Sequence, residues 1–508
     1  MSKCSLSLAA LALVGLLVAP AWAEPTVKHS GNSIAVIDGL TDEGLAQVKE
    51  ALGKVDQSKL NFALKNITDD DLARLCAVVP QMDGINIEKG DKLTSIAPLA
   101  KVKGLRGFKM EAKGVADLTP LAGFTDMMIL DVRSKAMGPD LKWMQGMTKL
   151  TKLDVDAGSA LTSFEGLPSL PKLERASISN ASPADLTPLV TAMPNLTRLQ
   201  LRYCTIGDLS PLAKLAKLIE INLYGAKLKD FTPLGQVPQL REITYYAVDG
   251  ADFSTLKALK QVQKMDGGLT KLNSIDFVAE LPNLRDFDVF AEYVTDYSPL
   301  AKSKIEKMQI WNMREPVGDL GVVGKATSLK ELRLWSVEGA TNSKGLAGLV
   351  NLEKLEITSD YNKKGGDAFD LACAAGLQKL KVFEVDKAEV VNEADLSKLV
   401  ALEKADFNGI NARTNKPFDI AGLAKLGKLY SLVLRNCTLA NADALAGCTG
   451  LQYLVLQDVE GVTNTGFVKS LTKLKRLTVT RGLLSDDDVK ALEAAKVKVE
   501  QKDPKKKK

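Results

Sequence analysis

Residues 208–223 read Asp208-Leu-Ser-Pro-Leu-Ala-Lys-Leu-Ala-Lys-Leu-Ile-Glu-Ile-Asn-Leu223. Within this stretch Leu215, Leu218, Ile221 and Leu223 follow the spacing LxxLxxLxL. The spacing returns at Met193-Leu196-Leu199-Leu201, Leu281-Leu284-Phe287-Val289, Leu349-Leu352-Leu355-Ile357, Leu426-Leu429-Leu432-Leu434 and Leu471-Leu474-Leu477-Val479. Taking the last apolar residue of each copy as an anchor, positions 87 to 479 hold 18 anchors, most of them 22 or 23 residues apart. Such a period is the mark of a repeat architecture and is sought before any domain is drawn. Tyr245 and Gly267 are the weakest anchors.

Alternation at the end of each copy, as in Leu199-x-Leu201, places two apolar side chains on one face of a short strand. A second piece recurs as Asp117-Leu-Thr-Pro-Leu121, Asp185-Leu-Thr-Pro-Leu189, Asp208-Leu-Ser-Pro-Leu212, Asp230-Phe-Thr-Pro-Leu234 and Asp296-Tyr-Ser-Pro-Leu300, with Ser95-Ile-Ala-Pro-Leu99 as a variant. Proline fixes φ and removes a donor, which suits a turn or the first residues of a short helix. One strand and one return segment cannot bury their apolar residues alone, so successive units must stack and share a core. The expected fold is α/β: a solenoid with a curved parallel β-sheet and short helical or 3-10 return segments.

This pattern, DLxPLxxLxxLxxLxL, resembles the 22-residue leucine-rich repeats of bacterial internalins and covers residues 79–480. The resemblance implies a leucine-rich repeat solenoid whose strands line a concave face that grips a protein partner. Two departures stand out. Internalin repeats usually carry Asn three residues after the anchor, where this chain has Cys204, Ala226, Val248, Val337, Ala388, Cys437 and Val459, so turn backbone groups must find other partners. No wall-anchoring motif follows the repeats, which favours a Gram-negative envelope compartment or secretion.

Around the repeats, residues 1–23 combine Lys3, an apolar stretch from Leu6 to Val18 and Ala21-Trp22-Ala23, a secretory signal peptide with a small-x-small cleavage site. The chain is therefore expected to be exported, periplasmic or secreted, with no integral membrane segment after cleavage. Thr41-Asp-Glu43, Thr68-Asp-Asp-Asp71 and Ser485-Asp-Asp-Asp488 read as helix N-caps with acidic first turns. A calcium site is the alternative reading of the triplets. These signals assign 24–78 to N-terminal helical capping repeats, 481–501 to a C-terminal helical cap and 502–508 to a Lys-rich tail.

Composition narrows the chemistry. With 67 Lys+Arg, 62 Asp+Glu and one histidine, the chain carries +5. Removing Lys3 leaves +4, and 502–508 alone carries +4, so the body is about neutral and gives no electrostatic case for nucleic acid. His29 stands alone near the mature N-terminus, which excludes most histidine-based catalysis and zinc sites elsewhere. Five cysteines remain after cleavage, Cys76, Cys204, Cys373, Cys437 and Cys448, at spacings that fit neither a disulfide framework nor zinc. They read as buried small hydrophobes. No cofactor or metal is implied.

Residues one before, one after and three before each anchor point away from the core. The column one after reads Arg202, Tyr224, Tyr246, Gly268, Phe290, Trp311, Trp335 and Thr358. With four Trp, nine Tyr and 14 Phe in 508 residues, seven arbitrary positions should hold fewer than one aromatic, whereas Tyr224 to Thr358 hold five. An apolar strip of this kind on an open face marks a contact surface. The candidate ligand-binding residues are Arg202, Tyr224, Tyr246, Phe290, Trp311, Arg333 and Trp335, within a polar rim that includes Asp266, Asp286, Asp288, Gln309 and Glu331. A one-residue slip would turn the column into core, and a cross-strand aromatic column also has some structural stability of its own.

The function these residues point to is non-catalytic recognition of an extracellular or envelope protein, with a host protein among the candidates. A glycan fits the same rim, because sugar rings stack on Trp and Tyr while Asp, Asn and Gln take the hydroxyls. The same residues also admit a structural envelope protein or, less readily, a glycan hydrolase using Asp266 and Asp288. Two insertions, at Asp360–Asp367 and Ala412–Pro417, follow strands and are expected to protrude on one edge; they either extend the binding site or are tolerated surface additions.

Overall fold

The computed structural model describes residues 26–290, 293–311, 318–335, 340–358 and 367–504. The expected signal segment, Val337, nearly all of the first insertion and the last four lysines lie outside the described residues. The chain forms two compact units, Met1–Asp252 and Phe253–Lys508.

Each unit is a leucine-rich repeat solenoid, and a coil of the first unit shows how the sequence closes it. Strand Arg198–Arg202 buries Leu199 and Leu201 completely, and Glu220–Asn222 does the same with Ile221. Between them the 3-10 turn Ser210–Lys214 starts with Pro211 in its first positions. The Asp208 carboxylate accepts from the Ser210 N–H at 2.8 Å. The same bond joins Asp117 to Thr119 (2.8 Å), Asp185 to Thr187 (2.8 Å), Asp230 to Thr232 (2.7 Å) and Asp296 to Ser298 (2.7 Å). The aspartate of the DLxPL motif is thus an Asx cap that turns the chain back toward the sheet. Leu209, Leu212, Leu215 and Leu218 fill the coil interior with at most 2% exposure.

Strands of neighbouring coils pair in parallel and in strict register: Arg198↔Glu220↔Glu242 in the first unit, Lys307↔Glu331↔Lys354 in the second. The residue two after the anchor is left-handed in coil after coil. Examples are Asn180 (φ 55), Tyr203 (φ 54), Gly225 (φ 68) and Ala247 (φ 51) in the first unit, and Leu269 (φ 52), Lys387 (φ 56), Asn436 (φ 51) and Asp458 (φ 52) in the second. This residue swings the chain out of the strand and points the next side chain inward.

That next residue occupies the position where internalin repeats carry asparagine. Cys204, Ala226 and Ala388 are fully buried there, and the coils are tied by backbone bonds instead. Thr205 N–H donates to Ala181 O (2.9 Å), Lys227 to Cys204 O (2.8 Å), Asp249 to Ala226 O (3.0 Å) and Asn411 to Ala388 O (2.9 Å). Small side chains let neighbouring coils approach closely enough for these bonds to form. Side-chain amides work one or two residues earlier: Asn180 Nδ2 donates to Asp156 Oδ1 in the first unit, and in the second Asn408 Nδ2 donates to Asp386 Oδ1 and Asn436 Nδ2 to Asn408 Oδ1.

The parallel sheet extends beyond 79–480. Ser33–Ile37 and Asn61–Lys65 pair with one another and with Gly84–Glu88 in the first unit, and Lys498–Lys502 pairs with Arg476–Thr480 in the second. Lys502, assigned by sequence to the tail, ends a strand. The return segments near the ends are α-helices. Thr41 Oγ1 accepts from Gly44 N (3.0 Å) to start Asp42–Leu52. Thr68 and Asp71 form a reciprocal capping box before Asp69–Val78, and Ser485 caps Asp486–Ala494. Strand Thr26–Ser30 folds back antiparallel on Ser33–Ile37 at the edge of the first unit's sheet.

All five described cysteines are free and buried. Burial pushes the thiols up, to about 12 for Cys76, Cys373 and Cys437 and to about 11 for Cys204 and Cys448. Thiolates are the reactive species. In the native chain these five thiols are therefore expected to react with an aromatic disulfide reagent at pH 8 more than about a hundredfold slower than in denaturing urea. Fast labelling of any of the five in the native state would contradict the burial.

Candidate functional site

Strand Lys307–Trp311 buries Met308 and Ile310, so Lys307, Gln309 and Trp311 point to the opposite, open face of the sheet. Glu331–Trp335 repeats this with Leu332 and Leu334 inside. The register sets Phe290 opposite Trp311 and Trp311 opposite Trp335. Their rings meet edge to face, with centroids 4.7 Å apart for Phe290–Trp311 and 5.4 Å for Trp311–Trp335, the arrangement that the ring quadrupole favours. Trp311 and Trp335 are half-buried, whereas Phe290 is only 7% exposed with the Trp311 ring packed against it. The Trp311 indole N–H is buried and has no hydrogen-bond partner among the described residues.

Beside this aromatic trio runs the column one before the anchor: Asp266↔Asp288↔Gln309↔Arg333↔Glu356↔Glu384↔Asp406. Arg333 Nε pairs with Glu356 Oε2 at 2.9 Å, and Lys354 pairs with the same carboxylate. One column out, Lys307 meets Glu331 at 2.7 Å. Burial, and then the carboxylates of Asp286 and Asp266, push Asp288 up to about 6. Burial and the Glu356 carboxylate hold Glu384 above its ordinary range, and burial does the same for Asp406 against the pull of Arg435. The register makes this crowding unavoidable, since parallel neighbours stand about 4.8 Å apart.

The first unit carries its own cluster. Exposed Arg202 places its guanidinium carbon 5.5 Å from the Tyr224 ring centroid, a cation–π contact. Tyr224 stacks on Tyr246 at 6.3 Å and 28°. Tyr203 joins them edge-on to Tyr224, with centroids 5.3 Å apart. Sequence reasoning passes over Tyr203 although it is 49% exposed. The available signal is an aromatic side chain at the left-handed position, which favours Gly or Asn. Gly225 makes the room: a Cβ there would lie 2.3 Å from Tyr203 Cδ1.

A second aromatic pair also lies outside the predicted set. Tyr453, three before the anchor Leu456, is 42% exposed, and its ring lies 6.5 Å from Tyr430, over which Lys404 Nζ sits at 5.7 Å. The structure therefore groups the predicted residues into Arg202, Tyr224 and Tyr246 in one unit and Phe290, Trp311, Arg333 and Trp335 in the other. Among the described residues no group of three or more His, Cys, Asp or Glu is arranged to hold a metal ion, and no helix is long and apolar enough to cross a membrane.

No family model and no curated protein matches the chain. Solved structures with a similar fold include an internalin from Listeria monocytogenes, 18% identical over 72% of this chain and 94% of that one, with a TM-score of 0.43. A leucine-rich repeat protein of Leptospira interrogans is 13% identical over 91% and 93% of the two chains, with a TM-score of 0.34. TLR13, solved in complex with ssRNA13, is 15% identical over 89% and 70%, with a TM-score of 0.49. The leucine-rich repeat assignment rests on the repeat and the sheet of this chain.

Asp288 offers a measurable consequence. A carboxyl whose folded pKa is raised costs stability wherever it is ionised: nothing below its unfolded value near 4, increasingly up to about 6, and a constant amount above. Because the group is partly solvated, the cost is discounted to about 1 kcal/mol. Asp288→Asn is expected to raise the unfolding free energy by that amount at pH 7, with the gain vanishing between pH 6 and pH 4, as read from urea unfolding at a series of pH values.

Proposed function

We propose that the chain is an exported, non-catalytic recognition protein that binds an extracellular or envelope protein. The proposed docking surface is the open sheet face of the second unit, with Phe290, Trp311 and Trp335 as anchor and Arg333 in its polar surround. One observation carries this reading: two tryptophans stand directly opposite each other on the face that the leucine core does not use. Such rings do nothing to close a coil, yet Trp and Tyr dominate binding hot spots. The Trp311 N–H, without a hydrogen-bond partner among the described residues, adds a donor for an acceptor on the partner. Arg202, Tyr224 and Tyr246 form a second patch of the same kind in the first unit.

A nucleic acid is a poor occupant of this face. Asp266, Asp288, Glu356, Glu384 and Asp406 outnumber Arg333 along its central column, and phosphate binding calls for the opposite sign. Residues 1–23 serve as the export signal, 24–78 and 481–501 as caps over the exposed ends of the core, and 502–508 as a solvated tail; the apolar leader and the capped terminal helices support these roles.

The test compares proteins captured from envelope and secreted fractions by the wild-type chain and by the Trp311→Ala, Trp335→Ala double variant. Loss of two hot-spot rings, at about 2 kcal/mol or more, is expected to weaken a specific partner at least about 30-fold. Circular dichroism should show the variant still folded, because neither ring fills the leucine core. A partner held equally by both proteins would remove this face from consideration.

A further inference from the structure

The insertion Ala412–Pro417 is exposed along its length, yet it is fastened to the preceding coil by two buried carboxylates. Glu389, 5% exposed, accepts from the Arg413 N–H at 2.9 Å and from the Thr414 N–H and hydroxyl. Glu393, 7% exposed, pairs with Lys416 Nζ at 3.0 Å. Burying a carboxylate costs several kcal/mol unless its oxygens are well satisfied. A merely tolerated insertion has no need of two such contacts; they hold this loop in one conformation.

The fixed loop forms one wall of a half-open cleft of about 190 Å³. Asn411, Asn415, Asn436, Thr438, Asp458 and Glu460 line it. Asn411 stands at its base, 2% exposed and left-handed at φ 55. Its Oδ1 accepts from the Val390 N–H at 2.8 Å, which fixes the orientation of the amide. Its Nδ2 is buried and has no hydrogen-bond partner among the described residues. A buried donor left without an acceptor costs about 1–3 kcal/mol, and an acceptor brought in through the cleft that Asn411 lines would recover it.

We propose that this cleft is a binding site for a single sugar ring. The occupant must accept from Asn411 Nδ2 and donate toward the carboxylates of Asp458 and Glu460. An ammonium group cannot accept, and a carboxylate would meet like charge. A hydroxyl does both from one atom, so successive hydroxyls of a sugar satisfy a wall on which donors and acceptors alternate. The small volume, about 190 Å³, suits one ring rather than a stretch of chain. Lys416, held by Glu393, brings no free charge to select an anion.

Saturation-transfer NMR on the full mature chain, with millimolar D-glucose, D-galactose, D-mannose and N-acetyl-D-glucosamine as probes, tests the site. At least one sugar is expected to receive saturation from the wild type. Asn411→Asp keeps the acceptor for Val390 but replaces the donor, and should weaken binding at least about tenfold. Asn415→Ala, on the exposed rim, should weaken it as well and decides the matter if Asn411→Asp does not fold by circular dichroism. The Trp311→Ala, Trp335→Ala variant should bind the sugar unchanged, which separates this site from the sheet face. Absence of transfer to all four sugars, unchanged affinity in the folded variants, or transfer to N-acetylglycinamide in place of the sugars would overturn the proposal.

Discussion

A five-residue strand that buries two side chains cannot exist alone, and the parallel register that joins it to its neighbours is the constraint from which the rest follows. Because Met308↔Leu332↔Leu355 and Ile310↔Leu334↔Ile357 must align for the core to be shared, every other side chain of these strands aligns too. A residue type repeated at one position of the coil becomes a column about 4.8 Å in period. Columns of leucine give cohesion, columns of aromatics give rings in contact, edge to face for Phe290, Trp311 and Trp335, and columns of carboxylates give mutual repulsion. Phe290, Trp311 and Trp335 illustrate the second outcome, and Asp266, Asp288, Glu356 and Glu384 the third.

The turn after the strand is where the constraint relaxes. There the chain needs one left-handed residue and one small buried residue, and beyond them the backbone bonds between coils tolerate additions. Tyr203 shows that the left-handed position can carry a large ring when its neighbour, Gly225, leaves space. Asn411, a further left-handed residue two positions beyond Gly409, delivers a polar side chain to the cleft, with Glu389 and Glu393 holding the added loop in place. The same segment of the coil therefore hosts the least repetitive chemistry of the molecule.

What can be read from the sequence follows the same division. The anchors, the Pro-bearing return and the face assignment of Trp311 and Trp335 are legible because periodicity of apolar residues encodes them directly. The Asx role of Asp117, Asp185 and Asp208 is visible as a recurring letter without its bond. Strands Thr26–Ser30 and Lys498–Lys502 are not legible, because Thr-Val-Lys-His-Ser and Lys-Val-Glu-Gln-Lys are polar and owe their extended form to pairing with a strand already in place. Phe290 reads as open from its place in the column, and only the approach of the Trp311 ring covers it. The cleft at Asn411 depends on residues about 50 positions apart, which no local pattern links.

Leucines inside each coil complete the fold without help from the open face, so residues there are free to differ from what stability alone would select. Three of them do. Asp288 stands half-buried among like charges, Tyr203 adopts a conformation that favours glycine, and Trp311 buries an N–H that no described residue receives. Each lowers stability locally, and each lies on the open sheet face or at the turn beside it, where a second molecule can reach it. A structure selected only to be a rigid spacer would have removed all three with single substitutions, Asn for Asp288, Gly for Tyr203 and Phe for Trp311. Within each unit, their presence on the side that its core leaves free supports the proposal that such a face serves recognition.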